Sequence, residues 1–225
     1  MRVASSNLQH GVPDPLGRPD LGRAVAPLRT IAADVHAFQE LDHRRWRTRF
    51  EHQGAVMADA LAGELAWARA KQWLWAGQAN ALVVRGRVGR REVHTLPGPG
   101  ERRIALLAEV ELHGERWSVA TTHLALDPFV AALQLATVLV ALSACPAPQV
   151  LVGDLNLCPA DVAPVAAFHG YDLLEGPNTI NARTGLNRRL DHVLTRGCTV
   201  IDSGTTKLPV SDHLTVWAEV SQRRP

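Results

Sequence analysis

The chain has 225 residues, 46% of them hydrophobic and 20% charged, with a formal net charge of +2. That length and balance fit one large α/β domain over 1–225 with a sizeable core, and exclude a disordered or fibrous chain. The small net charge excludes a bulk electrostatic argument for nucleic acid, although lysine is confined to Lys71 and Lys207, so nearly every cation is a forked guanidinium suited to phosphate. Cys145, Cys158 and Cys198 are odd in number and lack metal-ligand spacing, which reads as free thiols in a reducing compartment. The chain starts in a strand-like segment without an apolar signal. Its longest apolar stretch, Phe129 to Leu142, is too short to span a bilayer, so a soluble cytoplasmic protein is the expectation.

Arg2 to Leu8 reads as a strand with Asn7 at its end. Pro13 to Arg18 is a turn-rich loop. Helical spacing runs from Leu21 to Ala33, with Asp20 placed to cap it. Val35 to Leu41 predicts a short buried strand ending at Glu40. Val56 to Ala68 predicts a second amphipathic helix, with Val56, Leu61 and Leu65 on one side. Asn80 to Arg85 and Glu92 to Leu96 look like strands. Ile104 to Leu112 and Arg116 to Leu124 flank the turn His113-Gly114-Glu115 and predict a hairpin. Pro128 to Leu142 predicts a helix with proline in its first turn. Apolar residues cover most of its circumference, so it is either deeply packed or a homodimer or partner contact through 129–142. Val150 to Val152 is a buried strand running into Gly153-Asp154-Leu155-Asn156, and Arg189 to Leu194 and Leu214 to Val220 complete the strands. Early alternation followed by a hairpin and late strands predicts a mixed sheet or two packed sheets with helices outside.

Asn7, Glu40, His123, Asp154 and Asp191 each fall in or beside an apolar strand. One buried carboxylate there is costly, whereas several brought together can share a cation. Asp154 and Asn156 are two residues apart and share a face of an extended segment, which suits a hard metal ion or a phosphoryl oxygen. A turn in which Asp154 caps its own backbone explains the same residues. Asp212 beside His213 reads as a carboxylate near an acid–base imidazole, or as a surface loop. Asp191 reads as a site residue, or as an internal ion-pair partner of Arg188 or Arg189.

Taken in order, Asn7, Gln39-Glu40, Thr122-His123-Leu124, Gly153-Asp154-Leu155-Asn156, Arg189-Leu190-Asp191-His192 and Ser211-Asp212-His213 resemble the pattern of the endonuclease/exonuclease/phosphatase superfamily. The resemblance runs from Val3 to Val220. It implies a four-layer α/β/β/α sandwich with two packed, mixed and largely antiparallel β-sheets. It also implies a divalent-metal-dependent phosphoester hydrolase. In that reading Glu40 is the main metal ligand, with Asn7 near the same ion and Asp212 on the metal side. Asp154 orients or activates water, and Asn156 helps hold phosphate and water. His213 acts as base or charge stabiliser, Asp191 orients a histidine, and His123 contacts the scissile phosphate. Oxygen and amide donors favour Mg²⁺ or Mn²⁺, as one ion or two.

The basic run His43-Arg44-Arg45-Trp46-Arg47-Thr48-Arg49 follows Glu40. It reads as a solvated patch or as a rim for a polyanion, with Arg45 and Arg47 as substrate contacts. Arg183, Arg188 and Arg189 add charge ahead of Asp191. Trp46, Trp73 and Trp75 offer stacking faces for bases, and Trp73 and Trp75 read equally as core residues. Asn80 resembles a phosphate-reaching asparagine of small bacterial members. A phosphodiesterase acting on nucleic acid or a nucleotide-like substrate is the leading expectation. A phosphomonoesterase or a phospholipid- or sphingomyelin-type phosphodiesterase on the same site is the alternative.

Overall fold

The computed structural model describes residues 1–12, 17–180 and 187–223, without the side chains of 72 and 73. Most of the Pro13–Arg18 loop, Arg183 and the Trp73 ring therefore lie outside the described residues.

Among the described residues twelve strands form two six-stranded sheets, ordered β11-β12-β1-β2-β4-β3 and β5-β6-β7-β8-β10-β9. In the first sheet β1 (Arg2–Asn7) pairs in parallel with β2 (Val35–His43) and antiparallel with β12 (Leu214–Gln222). In the second, β8 (Gln149–Asp154) pairs in parallel with β7 (Glu115–His123) and antiparallel with β10 (Asp191–Arg196). The remaining strands are β3 (Glu64–Trp73), β4 (Ala76–Val84), β5 (Arg87–Thr95), β6 (Ile104–Leu112), β9 (Asp172–Leu173) and β11 (Cys198–Lys207). Helices α1 (Gly22–Ile31) and α2 (Gln53–Leu61) cover the first sheet, and α3 (Pro128–Ser143) and α4 (Pro159–Phe168) the second.

Three apolar layers follow from the period of two in the strands. Val3, Val35, Ala37, Val150, Val152, Val193 and Val216 fill the space between the sheets. Ala4, Phe38 and Leu8, on the other face of the same segments, meet Leu28 and Met57 of α1 and α2. Leu151 and Leu194 meet Leu135, Val138 and Leu139 of α3. Each fully buried Val, Leu, Phe or Met among them stabilises by roughly 1.5–3 kcal/mol relative to leaving it exposed.

Several local expectations need correction. The helix expected over 56–68 is α2 over 53–61 followed by β3, because Ala62 takes a left-handed φ of 52° and ends the helix. Leu65 therefore belongs to a strand, and Val56 faces solvent. Helix α1 begins at Gly22, with Asp20 accepting a bond from the Gly22 N–H at 3.1 Å rather than occupying the cap position. Strand β2 does not stop at Glu40 but continues to His43 through a bulge between Phe38 and Leu41. The hairpin turn is as expected, with His113 and Gly114 both at positive φ. The apolar α3 buries one side on the sheet and leaves Phe129, Leu133 and Val140 exposed on the other. Among the described residues no helix is long and apolar enough to cross a membrane.

Candidate active site

The site is assembled by register. His123, Asp154 and Asp191 are direct neighbours on β7, β8 and β10. They lie at one level on one face of the second sheet. Asn7 ends β1 beside Gln39 of β2, and Glu40 follows. Gln39 points between the sheets, where its amide donates to Thr121 at 3.0 Å. An unbroken strand would send Glu40 the opposite way, toward the helices. The bulge and the positive φ of 57° at Glu40 re-aim it. A non-glycine residue held there costs about 1–3 kcal/mol, a strain typical of functional positions.

Asp154 is the hub. Its Oδ2 accepts from the Asn7 amide at 3.0 Å and lies 3.5 Å from His123 Nε2 and 3.9 Å from His213 Nε2. Its Oδ1 accepts from the Asn156 N–H at 3.1 Å, so the carboxylate also caps its own turn. Asn156 sits at φ 52° and donates through its amide to the Leu124 carbonyl at 2.9 Å. The Asn7 amide nitrogen also reaches Glu40 at 3.1 Å, while its oxygen accepts from the Gln9 N–H at 3.1 Å. Two carboxylate oxygens thus converge on one amide nitrogen.

Asp191 is fully buried and bonds His213 Nδ1 at 2.7 Å. It meets this imidazole, not the neighbouring arginines. Its Oδ1 has no hydrogen-bond partner among the described residues. Ser211 fixes the loop of His213 by donating to the Asn7 carbonyl and accepting from the His213 N–H. Asp212 stands apart. It is half-buried, acts on His213 through charge, and is absent from the trio Asp154, Asp191 and His213, whose donor atoms lie within 4.8 Å of one another.

The electrostatics follow from burial and these neighbours. Burial works to lower the His213 imidazole, but Asp191, with Asp154 and Asp212 behind it, pushes it up to about 10. Burial raises the Asp154 carboxyl, against the opposing pull of His123, and the like charge of Asp191 adds to the rise. Burial also works to raise Glu40, yet His123, His10 and the Asn7 amide bring it below the usual range. His123 is lowered, chiefly by burial.

The expected substrate contacts divide. Arg47 makes a bidentate pair with buried Asp42 at 2.6 and 2.7 Å. Arg189 is buried and donates to the Leu174 carbonyl at 2.6 Å. Both guanidinium groups are thus engaged by protein groups, that of Arg47 while 31% exposed. Asn80 is buried on β4, its amide 3.4 Å from the Ile104 carbonyl. Arg45 lines the surface beyond β2.

Three groups near the site escaped the sequence reading. His10 lies 3.6 Å from the Glu40 carboxylate and 2.9 Å from the Gln78 amide. Arg103 is buried just before β6, paired with Glu101 at 2.9 Å and within electrostatic reach of Asp154 and Glu40. Lys71 also pairs with Glu101. A signal for Arg103 existed, because a hairpin over 104–124 brings its first and last residues to the same end, and His123 was already placed there.

Solved structures of similar fold include the endonuclease/exonuclease/phosphatase from Beutenbergia cavernae, 22% identical with a TM-score of 0.82, covering 99% of this chain and 71% of that one. TDP2 of D. rerio complexed with a single-strand DNA product is 19% identical with a TM-score of 0.74, covering 99% of each chain. The mannosyl-6-phosphatase of Bacteroides thetaiotaomicron is 16% identical with a TM-score of 0.76, covering 98% of this chain and 99% of that one. These likenesses show the fold. Among curated proteins no sequence matches. The model of the Endonuclease/Exonuclease/phosphatase family matches residues 4–213, nearly the whole chain, and the chain belongs to that family.

Proposed function

We propose that residues 1–225 form one catalytic domain, a divalent-metal-dependent phosphodiesterase that cleaves nucleic acid or a nucleotide-like substrate by in-line attack of an activated water. The observation that carries this reading is the setting of Asp154. One buried carboxylate oxygen is shared by Asn7, His123 and His213 at 3.0, 3.5 and 3.9 Å. Hydrolysis needs a positioned water, charge neutralisation on the phosphoryl oxygens and help for the leaving group.

The residues fit a hard divalent ion. Glu40 and Asp154 bring two carboxylates together around the Asn7 amide, and Glu40 keeps a quarter of its side chain open to solvent. Asp191 and His213 are the poorer ligands, since their 2.7 Å bond already engages the facing atoms. Glu40, with Asn7 beside it, would hold Mg²⁺ or Mn²⁺, with Asp212 further out. Bound there, the ion would supply Lewis-acid charge stabilisation to the phosphoryl oxygens.

The chain's own groups do the rest. Asp154, raised by burial, orients the water and accepts its proton, and Asn156 keeps the turn of Asp154 in place. His213 is cationic at neutral pH and faces the charge that grows on the phosphoryl group, while Asp191 fixes its ring. His123, held between Glu40 and Asp154, contacts the scissile phosphate.

The test is turnover of bis-p-nitrophenyl phosphate with Mg²⁺ or Mn²⁺ and with EDTA. Cleavage abolished by EDTA and reduced at least about a hundredfold in Glu40→Ala and in His213→Ala is expected. Unchanged turnover in both variants would overturn the assignment. Similarity to a mannosyl-6-phosphatase favours phosphomonoester hydrolysis as the second reading. A panel of single-stranded DNA, RNA, plasmid, sphingomyelin and sugar or inositol phosphates separates the two. The free cysteines accord with a cytoplasmic setting, and the exposed Phe129, Leu133 and Val140 with a homodimer or partner contact, read by sedimentation of the intact chain.

A further inference from the structure

Beyond the end of β2 the chain departs from what folding requires. Trp46, Phe50, Leu74 and Trp75 stand 77%, 64%, 79% and 64% exposed. Together with Arg44 and Arg45 they line one shallow groove of about 510 Å³, and no carboxylate lines it among the described residues. Four large apolar side chains grouped in water mark a binding surface rather than scattered surface residues.

The segment that carries them is ordered against cost. Arg44, Arg49 and Phe50 hold left-handed φ values of 54°, 53° and 63°. Arg47 anchors the loop on buried Asp42, and backbone bonds from Arg44 to Glu51 and from Phe50 to Arg45 close it at 2.8 Å. Leu74, at φ 51°, and Trp75 form the turn between β3 and β4 that completes the groove. A loop serving only as a connection would have no use for this strain.

The groove begins a short way along the chain from the site. Arg44 follows His43, four residues past Glu40, which at the rise of a strand is about 13 Å. Flat rings beside guanidinium groups match a chain that carries both flat bases and phosphates. We infer that Trp46, Phe50 and Trp75 form a stacking ledge, with Arg44 and Arg45 on the phosphates, that takes the unpaired bases of a single-stranded nucleic acid leading away from the scissile phosphate. The inference rests on the phosphodiesterase reading and narrows its substrate to strands with exposed bases. A duplex hides its base faces and is the poorer ligand.

The experiment measures binding without turnover. Fluorescence anisotropy of a labelled short oligothymidylate is followed with the full chain in EDTA, across salt concentrations. Trp46→Ala and Trp75→Ala each weaken binding on the order of tenfold, and Trp75→Phe, which keeps a flat ring, restores most of it. Arg44→Ala reduces the salt slope by about one unit. A duplex of the same length binds more weakly than the single strand. Affinity within twofold of the parent in both alanine variants overturns the ledge. So does oligonucleotide binding untouched by substitutions that abolish binding to phosphatidylserine vesicles, or that dissociate a dimer in sedimentation. Because the assay needs no metal and no cleavage, its failure is distinct from failure of the hydrolase reading, which the parent protein's turnover of bis-p-nitrophenyl phosphate tests separately.

Discussion

The two sheets bring corresponding strand positions to the site. In the first, the central β1 ends at Asn7 between parallel β2, which carries Glu40, and antiparallel β12, which His213 precedes. In the second, the central β8 ends at Asp154 between parallel β7, which carries His123, and antiparallel β10, which begins at Asp191. The partners meet across the sandwich: Asn7 to Asp154 at 3.0 Å, Glu40 to His123 at 3.9 Å, and His213 to Asp191 at 2.7 Å. One end is tight and buried, the other loose and open. The tight end fixes a charge inside the protein, whereas the loose end leaves carboxylate charge for a ligand to answer. Similar strand arrangements thus serve different chemistry because the facing side chains differ.

The largest expected effect breaks the tight end. Asp191→Asn keeps the shape but removes the charge that holds His213 protonated and aligned. Its kcat for a small diester should fall on the order of 10²- to 10³-fold, as when a preorganised charge-stabilising group is lost. A loss below tenfold would mean that His213 works without Asp191, and the two ends would no longer differ in role.

The pH dependence of stability sharpens the same contrast. His213 rises from an ordinary value of 6.5 to about 10 in the folded chain. A group raised on folding stabilises fully below its unfolded pKa, and that contribution is lost as pH climbs through the folded value. Urea midpoints of the parent and of Asp191→Asn should therefore differ most near pH 6.5 and converge as the pH approaches 10. A constant gap across that window would contradict the pair as the source.

At the loose end the expectation is reversed, since stability there should depend on the ion. Mn²⁺ at about a hundred times its dissociation constant stabilises by about 2.7 kcal/mol, or roughly 5–10 °C in Tm for a chain of this size. Glu40→Gln should lose most of that shift, while Asp191→Asn keeps it. Equal shifts in parent and Glu40→Gln would move the ion to the tight end, onto Asp154, Asp191 and His213.

The sheet order and the identities of the site residues were legible to different degrees. Strands with a clear alternation or apolar run, such as 104–112 and 150–152, were visible, as was the hairpin turn at Gly114. The order Asn7, Glu40, His123, Asp154, Asp191, His213 was visible as a pattern. The bulge at Glu40 was not, because a positive φ at a glutamate has no local sequence signal, and the tertiary setting imposes it. Strand β3 was hidden because Glu64 to Trp67 continues the spacing of α2, and only the left-handed Ala62 separates them. Strand β11 was missed because it is an edge strand, with Thr199 and Ile201 to Ser203 exposed and no core pattern to read. At Arg47 and Arg189 the sequence shows a charge but not the Asp42 carboxylate or the Leu174 carbonyl that engages it.

Arg47 gives the smallest effect and the last check on the open end. Its pair with Asp42 ties the loop after β2 to the sheet floor, and the Arg47 side chain is 31% exposed while that of Asp42 is fully buried. Breaking such a pair leaves an uncompensated carboxylate inside. With the partial exposure discounted, Arg47→Ala should cost about 2 kcal/mol in urea unfolding. Turnover of the small diester per folded molecule should stay near the parent value, since the guanidinium points at Asp42 and not at the cleft. The opposite result, full stability with turnover lost, would make Arg47 a phosphate contact. The open end would then begin at the loop rather than at Glu40, and the loop would belong to the reacting centre instead of the strand-binding surface beyond it.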